Sequence, residues 1–101
     1  MKELLLKENQ MTTRINYFKA ADGKAEELYQ FLLSLTDYIE GSDGCESYQV
    51  LRKNDDEHSI VVIEKWQSLT HHQQSVADFP KEEMQASMSL FAEPPRGNYY
   101  R

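Results

Sequence analysis

A single cysteine, Cys45, is all the thiol that the 101-residue chain holds. It excludes an internal disulfide framework and a multi-cysteine zinc site, and it fits a reducing, cytoplasmic setting. Long apolar runs are also missing. No stretch approaches the roughly 18 apolar residues of a membrane span. The longest N-terminal run, Leu4-Leu5-Leu6, has Glu3 and Glu8 close by and is too short for a signal-peptide core. Basic residues are scarce: 11 Lys and Arg stand against 17 Asp and Glu, a formal charge of −6. A nucleic-acid binder needs a basic stripe to displace counterions, and an anionic membrane repels such a chain. Neither partner is expected. The chain has no glycine-rich phosphate loop, no GxSxG elbow, no Walker pattern and no flavin or nicotinamide fingerprint. No metal site and no cofactor held by a familiar motif is expected.

What is present is enough for one packed domain. One Trp, six Tyr and four Phe give the chain large side chains to bury. Residues 1–10 read as an N-terminal extension and 11–101 as a single domain. The chain alternates period-2 and period-3.6 stretches. Residues 11–20 form the first expected strand. Asp22 and Gly23 offer a helix N-cap. Leu28, Phe31, Leu32, Leu35 and Ile39 then share one face of a continuous amphipathic helix that Gly41 and Gly44 end. Residues 44–53 and 58–66 read as an antiparallel hairpin across an Asn54-Asp55-Asp56-Glu57 turn. Ser68 caps a helix running to about Val76. Pro80 opens another, whose apolar stripe of Met84, Met88 and Phe91 is expected in the core. Asn98-Tyr99-Tyr100 is a short last strand. Strand, helix, strand, strand, helices, strand is the α+β, ferredoxin-like split βαβ order with an antiparallel sheet. Helices cover one sheet face. The other is open, and a second copy, a ligand or both must cover it.

The third strand carries the strongest chemical signal. Period 2 puts Ile60, Val62, Glu64 and Trp66 on one face, with Val61, Ile63 and Lys65 on the other. A carboxylate beside a tryptophan at the end of an apolar strand is unusual. Buried, Glu64 has a raised pKa or an Arg, His or Tyr partner. It reads as a general base or substrate anchor, or else as a strand-end ion pair. On the first strand, Arg14, Asn16, Phe18 and Ala20 share a face, and Asn16 is a candidate to hydrogen-bond a ligand oxygen. His71 and His72 point about 100° apart on a helix, so they are not a metal-chelating pair. Either can serve as a base near neutral pH, or both can be solvated. Tyr17, Tyr48, Tyr99 and Tyr100 fall on strands, where they line a pocket or pack. Cys45, with no basic neighbour, reads as a small core side chain.

Several of these residues come in a familiar order. Ala20-Ala21-Asp22-Gly23 closes the first strand, and Gly44-Cys45-x-x-Tyr48 opens the second. Glu64-Lys65-Trp66-Gln67-Ser68 precedes His71 and His72, and Pro94-Pro95-x-Gly97-x-Tyr99-Tyr100 forms the tail. In this the chain resembles the antibiotic biosynthesis monooxygenase family over residues 11–101. The resemblance implies a homodimer whose sheets pack into a dimeric α+β barrel, with a cavity between sheet and helices. Some members oxidise quinols or polyketide-like aromatics with molecular oxygen and need no cofactor. The resemblance thus implies a cofactor-independent monooxygenase with a small aromatic substrate. Here His71, His72 or Glu64 would be the base, Asn16 and Tyr48 would bond ligand oxygens, and Phe18 and Trp66 would line the site. Other members have no known turnover, so a dimeric binding or stress-response module, or a non-oxidative isomerase, is the alternative. The haem-degrading branch relies on an Asn, a Trp and a His. Its Asn matches Asn16, but the other two fall near Ser75 and Gln85, which argues against haem degradation.

Overall fold

The computed structural model describes residues 10–101, so the expected extension at 1–10 lies, but for Gln10, outside the described residues. Four strands form one antiparallel sheet: β1 (Thr12–Lys19), β2 (Cys45–Lys53), β3 (Asp56–Trp66) and β4 (Arg96–Tyr100), in the spatial order β2-β3-β1-β4. Helices α1 (Ala25–Ser34), α2 (Thr36–Glu40), α3 (Leu69–Asp78) and α4 (Lys81–Ser87) join them, with a 3-10 turn at Met88–Leu90. This is the α+β, ferredoxin-like split βαβ topology. Among the described residues, no helix is long and apolar enough to cross a membrane.

The core lies where α1 covers the inner sheet face. Leu28 and Leu32 of α1 meet Ile60 and Val62 of β3, with Ala20, Ala25, Tyr48 and Leu90 around them. Each fully buried aliphatic side chain here contributes about 1.5–3 kcal/mol. Period 2 fixes which residues take part, because a one-residue slip would turn the whole inner set to the outside.

Four local expectations need correction. The first helix is not continuous: it breaks at Leu35 into α1 and α2. The hydroxyls of Ser34 and Thr36 donate to the carbonyls of Phe31 and Leu33, three residues back, and compete with the helical ladder. The apolar spacing continues through the break and hides it. The N-cap of α1 is Lys24, with no side-chain cap bond, rather than Asp22. The hairpin turn is only Asn54-Asp55, since β3 already begins at Asp56. There the Asp56 carboxylate accepts from Lys19 Nζ at 2.8 Å and from the His58 backbone N–H at 3.0 Å, which drives its pKa well below the usual carboxylate range. Finally, Met84 and Met88 are exposed, not core. Their stripe faces a cavity, and the amphipathic pattern alone does not say what covers an apolar face.

Candidate functional site

Strand register assembles the site. Tyr48 on β2 pairs with Glu64 on β3, Glu64 with Arg14 on β1, and Arg14 with Tyr99 on β4. These four side chains form one row across the inner face. The next row runs Val50, Val62, Asn16, Gly97. Gly97 matters through its missing side chain. A Cβ there would collide with the Asn16 carboxamide oxygen and the Arg14 guanidinium, so both side chains fold over the bare backbone of β4.

Within the rows the polar groups bind one another. Arg14 Nε donates to Asn16 Oδ1 at 2.9 Å, and Asn16 Nδ2 donates to Glu64 Oε2 at 3.3 Å. Trp66 Nε1 donates to Glu64 Oε1 at 2.8 Å. Each carboxylate oxygen of Glu64 thus accepts an N–H, an arrangement that suits the ionised form. Glu64 is nevertheless only 5% exposed. Burial raises its pKa, and the Trp66 bond and the Arg14 charge oppose that rise without cancelling it. The result is a carboxyl group that holds a proton more readily than one in water and, once ionised, is stabilised by donors already in place.

Helix α3 adds the histidine. Ser68 caps it, its hydroxyl accepting the His71 backbone N–H at 3.2 Å, as its position before the helix predicts. One residue on, His72 turns inward. Its ring meets Trp66 and Tyr99 edge-on, with centroids 5.5 and 5.3 Å away. Nδ1 lies 2.7 Å from the Tyr99 hydroxyl, and Nε2 lies 3.9 Å from Glu64 Oε1. Burial, with help from the Arg14 charge, lowers the His72 pKa to about 4, so the ring is neutral at physiological pH. The Arg14 guanidinium also stands 4.6 Å over the Tyr99 ring.

Arg14, Asn16, Tyr48, Glu64, Trp66 and His72 line one part of a cavity of about 540 Å³. Phe18, Phe31, Leu35, Ile39 and Phe91 supply apolar wall between sheet and helices. Of the residues expected at a site, Asn16, Phe18, Tyr48, Glu64, Trp66 and His72 line this one cavity. His71 does not. It points the other way, its Nδ1 2.7 Å from Ser68 Oγ and its Nε2 3.7 Å from Asp43, beside Gly44. Gly44 has φ +85°, and a Cβ there would strike the His71 ring. Neighbours on a helix diverge, so only one of the two histidines can face inward. Two finer expectations also change. The Tyr48 hydroxyl donates to the Leu32 carbonyl at 2.6 Å, so its proton is already used, and the Asn16 amide spends one N–H on Glu64 and keeps its second. Burial raises the pKa of Tyr48 and keeps it a neutral donor.

Sequence reasoning assigned no role to Arg14 and left Tyr99 within a set of four tyrosines. The tyrosines divide: Tyr48 and Tyr99 stand in the inner row, while Tyr17 and Tyr100 pair with outer-face residues. Alternation alone placed Arg14 on the inner face, but its pairing with Glu64 is a register property. Burial raises the Cys45 thiol to about 11, leaving it poorly suited as a nucleophile. Among the described residues, no group of three or more His, Cys, Asp or Glu side chains is arranged to hold a metal ion.

The sequence profile of the family described as antibiotic biosynthesis monooxygenase matches residues 11–86. The chain belongs to the antibiotic biosynthesis monooxygenase family. Solved structures agree on the fold. An oxygenase described as cofactor-independent, SnoaB from Streptomyces nogalater, crystallised as an Asn-to-Ala variant, superposes with a TM-score of 0.78 at 17% identity, covering 91% of this chain and 92% of that one. A conserved protein from Methanosarcina mazei gives 0.81 at 17% identity over 96% and 97% of the two chains. A Pseudomonas aeruginosa protein gives 0.78 at 22% identity over 93% and 96%. Identities this low establish the fold shared with the monooxygenase family and not an activity. No curated protein matches the chain. Tyr99 and Gly97, which complete the two polar rows, lie beyond the residues that the family profile covers.

Proposed function

We propose that this protein is a cofactor-independent monooxygenase that oxidises a quinol-like or polyketide-like aromatic with molecular oxygen, with Glu64 as its base. The observation that carries the reading is a buried carboxylate of raised pKa inside an aromatic-walled cavity, held between the Trp66 indole and the Asn16 amide with Arg14 alongside. A base poised above the ordinary carboxylate range suits proton removal from a hydroxyarene, and the nearby guanidinium stabilises the oxyanion that results.

The chemistry balances without an external reductant. Glu64 takes the proton of a ring hydroxyl, and the electron-rich anion reduces oxygen. A carbon–oxygen bond forms on the ring and the oxygen–oxygen bond breaks. One oxygen atom stays in the product quinone. The other leaves as water with two protons from the substrate. All four electrons come from the aromatic. The protein's part is to bind, deprotonate, hold the anion and exclude bulk water.

His72 is better placed as a donor than as the base. In this reading Tyr99, its own pKa raised by burial, keeps its proton and donates a hydrogen bond to Nδ1. The neutral ring then carries its hydrogen on Nε2, which faces Glu64 and the ligand space. His71, outside the cavity, has no part in this reading.

We also propose the homodimeric barrel that the resemblance implies. Its support is the outer sheet face, where Tyr17, Leu51 and Tyr100 are more than 40% exposed beside Ile15, Val61 and Ile63. A reducing cytoplasm is the setting we infer from its thiol content. Isotopic oxygen tests the reaction. Chelator-treated protein turning over a naphthoquinol under labelled oxygen gas gives one labelled atom per quinone and one oxygen consumed per quinol. Unlabelled product, or turnover at the same rate without oxygen, contradicts it.

A further inference from the structure

At its polar end the cavity is lined by the buried side chains of Glu64, Trp66 and His72, while another part of the lining is exposed and apolar. The exposed lining residues, Val76 near the end of α3, Met84 and Met88 on and just after α4, and the segment 92–95, with half-buried Phe79, mark its mouth. Val76, Met84 and Met88 are 55%, 45% and 62% exposed, so three large apolar side chains stand in water around one opening. Among the described residues, Glu93 is the charged residue that the lining adds there, since Arg14, Glu64 and His72 belong to the inner end. Inside, Arg14 and Glu64 are cross-strand neighbours in the row, so a cation and a carboxylate both border the space. A permanently anionic head would meet Glu64 and a permanently cationic one would meet Arg14. A neutral, hydroxylated head meets neither penalty. The volume lies mid-range for sites that take drug-sized ligands, about 300–1,000 Å³, which leaves room for more than a ring head.

We infer that the substrate is amphiphilic: its hydroxylated ring enters head-first to the Glu64–Arg14 row, and an apolar substituent on that ring lies out through the mouth against Val76, Met84 and Met88. The inference rests on the quinol reading above for the identity of the head. Methionine suits the task because its unbranched, rotatable side chain repacks around substituents of different length. A tail laid on this rim removes apolar surface from water on both partners. A polar substrate such as a sugar or phosphate ester gains nothing from such a mouth.

The chain's single tryptophan, Trp66, lines this cavity, so quenching of its fluorescence reports binding without turnover. The probes are 2-methylnaphthalene-1,4-diol and its 3-ethyl, 3-butyl and 3-hexyl derivatives, kept reduced and unreacted by excluding oxygen. Affinity is expected to rise about three- to fourfold per added methylene and then level off where the chain reaches water. The decisive quantity is the ratio of the parent and butyl dissociation constants. In the double variant Met84→Ser/Met88→Ser the ratio is expected to fall at least tenfold, and in Met84→Leu/Met88→Leu to persist. A flat series with normal parent binding overturns the tail inference and leaves the quinol reading standing. A ratio unchanged in the serine variant also overturns it, since the tail then lies elsewhere. If parent and derivatives alike fail to quench, both readings fall. Circular dichroism checks that each variant is folded before its ratio counts.

Discussion

On the inner face of β3, Ile60, Val62, Glu64 and Trp66 are all exposed by 5% or less, while on the outer face Val61 and Ile63 are half-buried and Lys65 is exposed. One strand supplies both sets, and the backbone is the same. The difference lies in what each face meets. Helices of the same chain cover the inner face, so it holds the Glu64 carboxylate with little exposure to water. Its rows run Tyr48, Glu64, Arg14, Tyr99 and Val50, Val62, Asn16, Gly97. The outer rows run Leu51, Val61, Tyr17, Arg96 and Gln49, Ile63, Ile15, Asn98, apolar in the middle and polar at an end. That is the layout of a protein–protein contact, with an apolar centre and a polar rim. The inner face encloses a cavity within the protomer, and the outer face is the one that the proposed dimer would cover.

The largest effect expected from breaking this division is on the inner face. Glu64→Gln keeps the shape and removes the base, so turnover with a naphthoquinol falls by about 10²- to 10⁴-fold while Trp66 still reports ligand binding. Retained turnover would move the base elsewhere. The outer face comes next. A Val61→Glu/Ile63→Glu pair buries unpaired charge of one sign in the proposed contact. Light scattering is expected to drop from twice the chain mass to one chain mass, with the dimer dissociation constant raised by more than about 100-fold. A wild-type protein that is already monomeric at micromolar concentration removes the barrel proposal.

Smaller changes sharpen the inner side. Gly97→Ala pushes Arg14 and Asn16 off β4, and turnover is expected to fall about tenfold, roughly the effect of losing one well-placed hydrogen bond. Little change in the unfolding midpoint separates this from general destabilisation. Tyr99→Phe removes the donor to Nδ1. Nitrogen-15 shifts of His72 are then expected to lose the Nε2–H signature that dominates in the wild type. An unchanged tautomer would mean that Tyr99 does not set it. The smallest effect is on stability. The neutral form of His72 is favoured in the fold, so between pH 6.5 and about 4 the unfolded chain binds a proton that the folded one does not. Stability supplied by His72 is therefore present above 6.5 and lost as pH falls toward 4. Urea midpoints should decline over that window, and His72→Gln should flatten the decline.

Much of this division was legible in the sequence. Alternation on β1 and β3 separates Arg14, Asn16 and Phe18 from Ile15 and Tyr17, and Glu64 from Ile63, with no structure at all. What alternation cannot supply is register. Arg14 meets Glu64, and Tyr99 meets Arg14, only because antiparallel strands distant in sequence pair as they do. Helix geometry showed that His71 and His72 diverge, but the choice between them depended on where α3 sits over Trp66 and Tyr99. The methionine stripe was legible as apolar and misread as core, because spacing shows which side of a helix is greasy and not whether protein or ligand space lies opposite. The break at Leu35 was hidden for a related reason: two short hydroxyl-to-carbonyl bonds bend the chain without disturbing its apolar pattern.

Oxygen uptake against pH, measured on chelator-treated wild type and Glu64→Gln with one naphthoquinol and corrected with heat-denatured protein, tests Glu64 as base most directly. The expected wild-type profile rises with pH on a limb whose midpoint lies above the ordinary glutamate value of 4.5, because burial raises this carboxyl. That limb is absent from the variant. An uptake profile identical in the two proteins, or none above the denatured control in either, would contradict it.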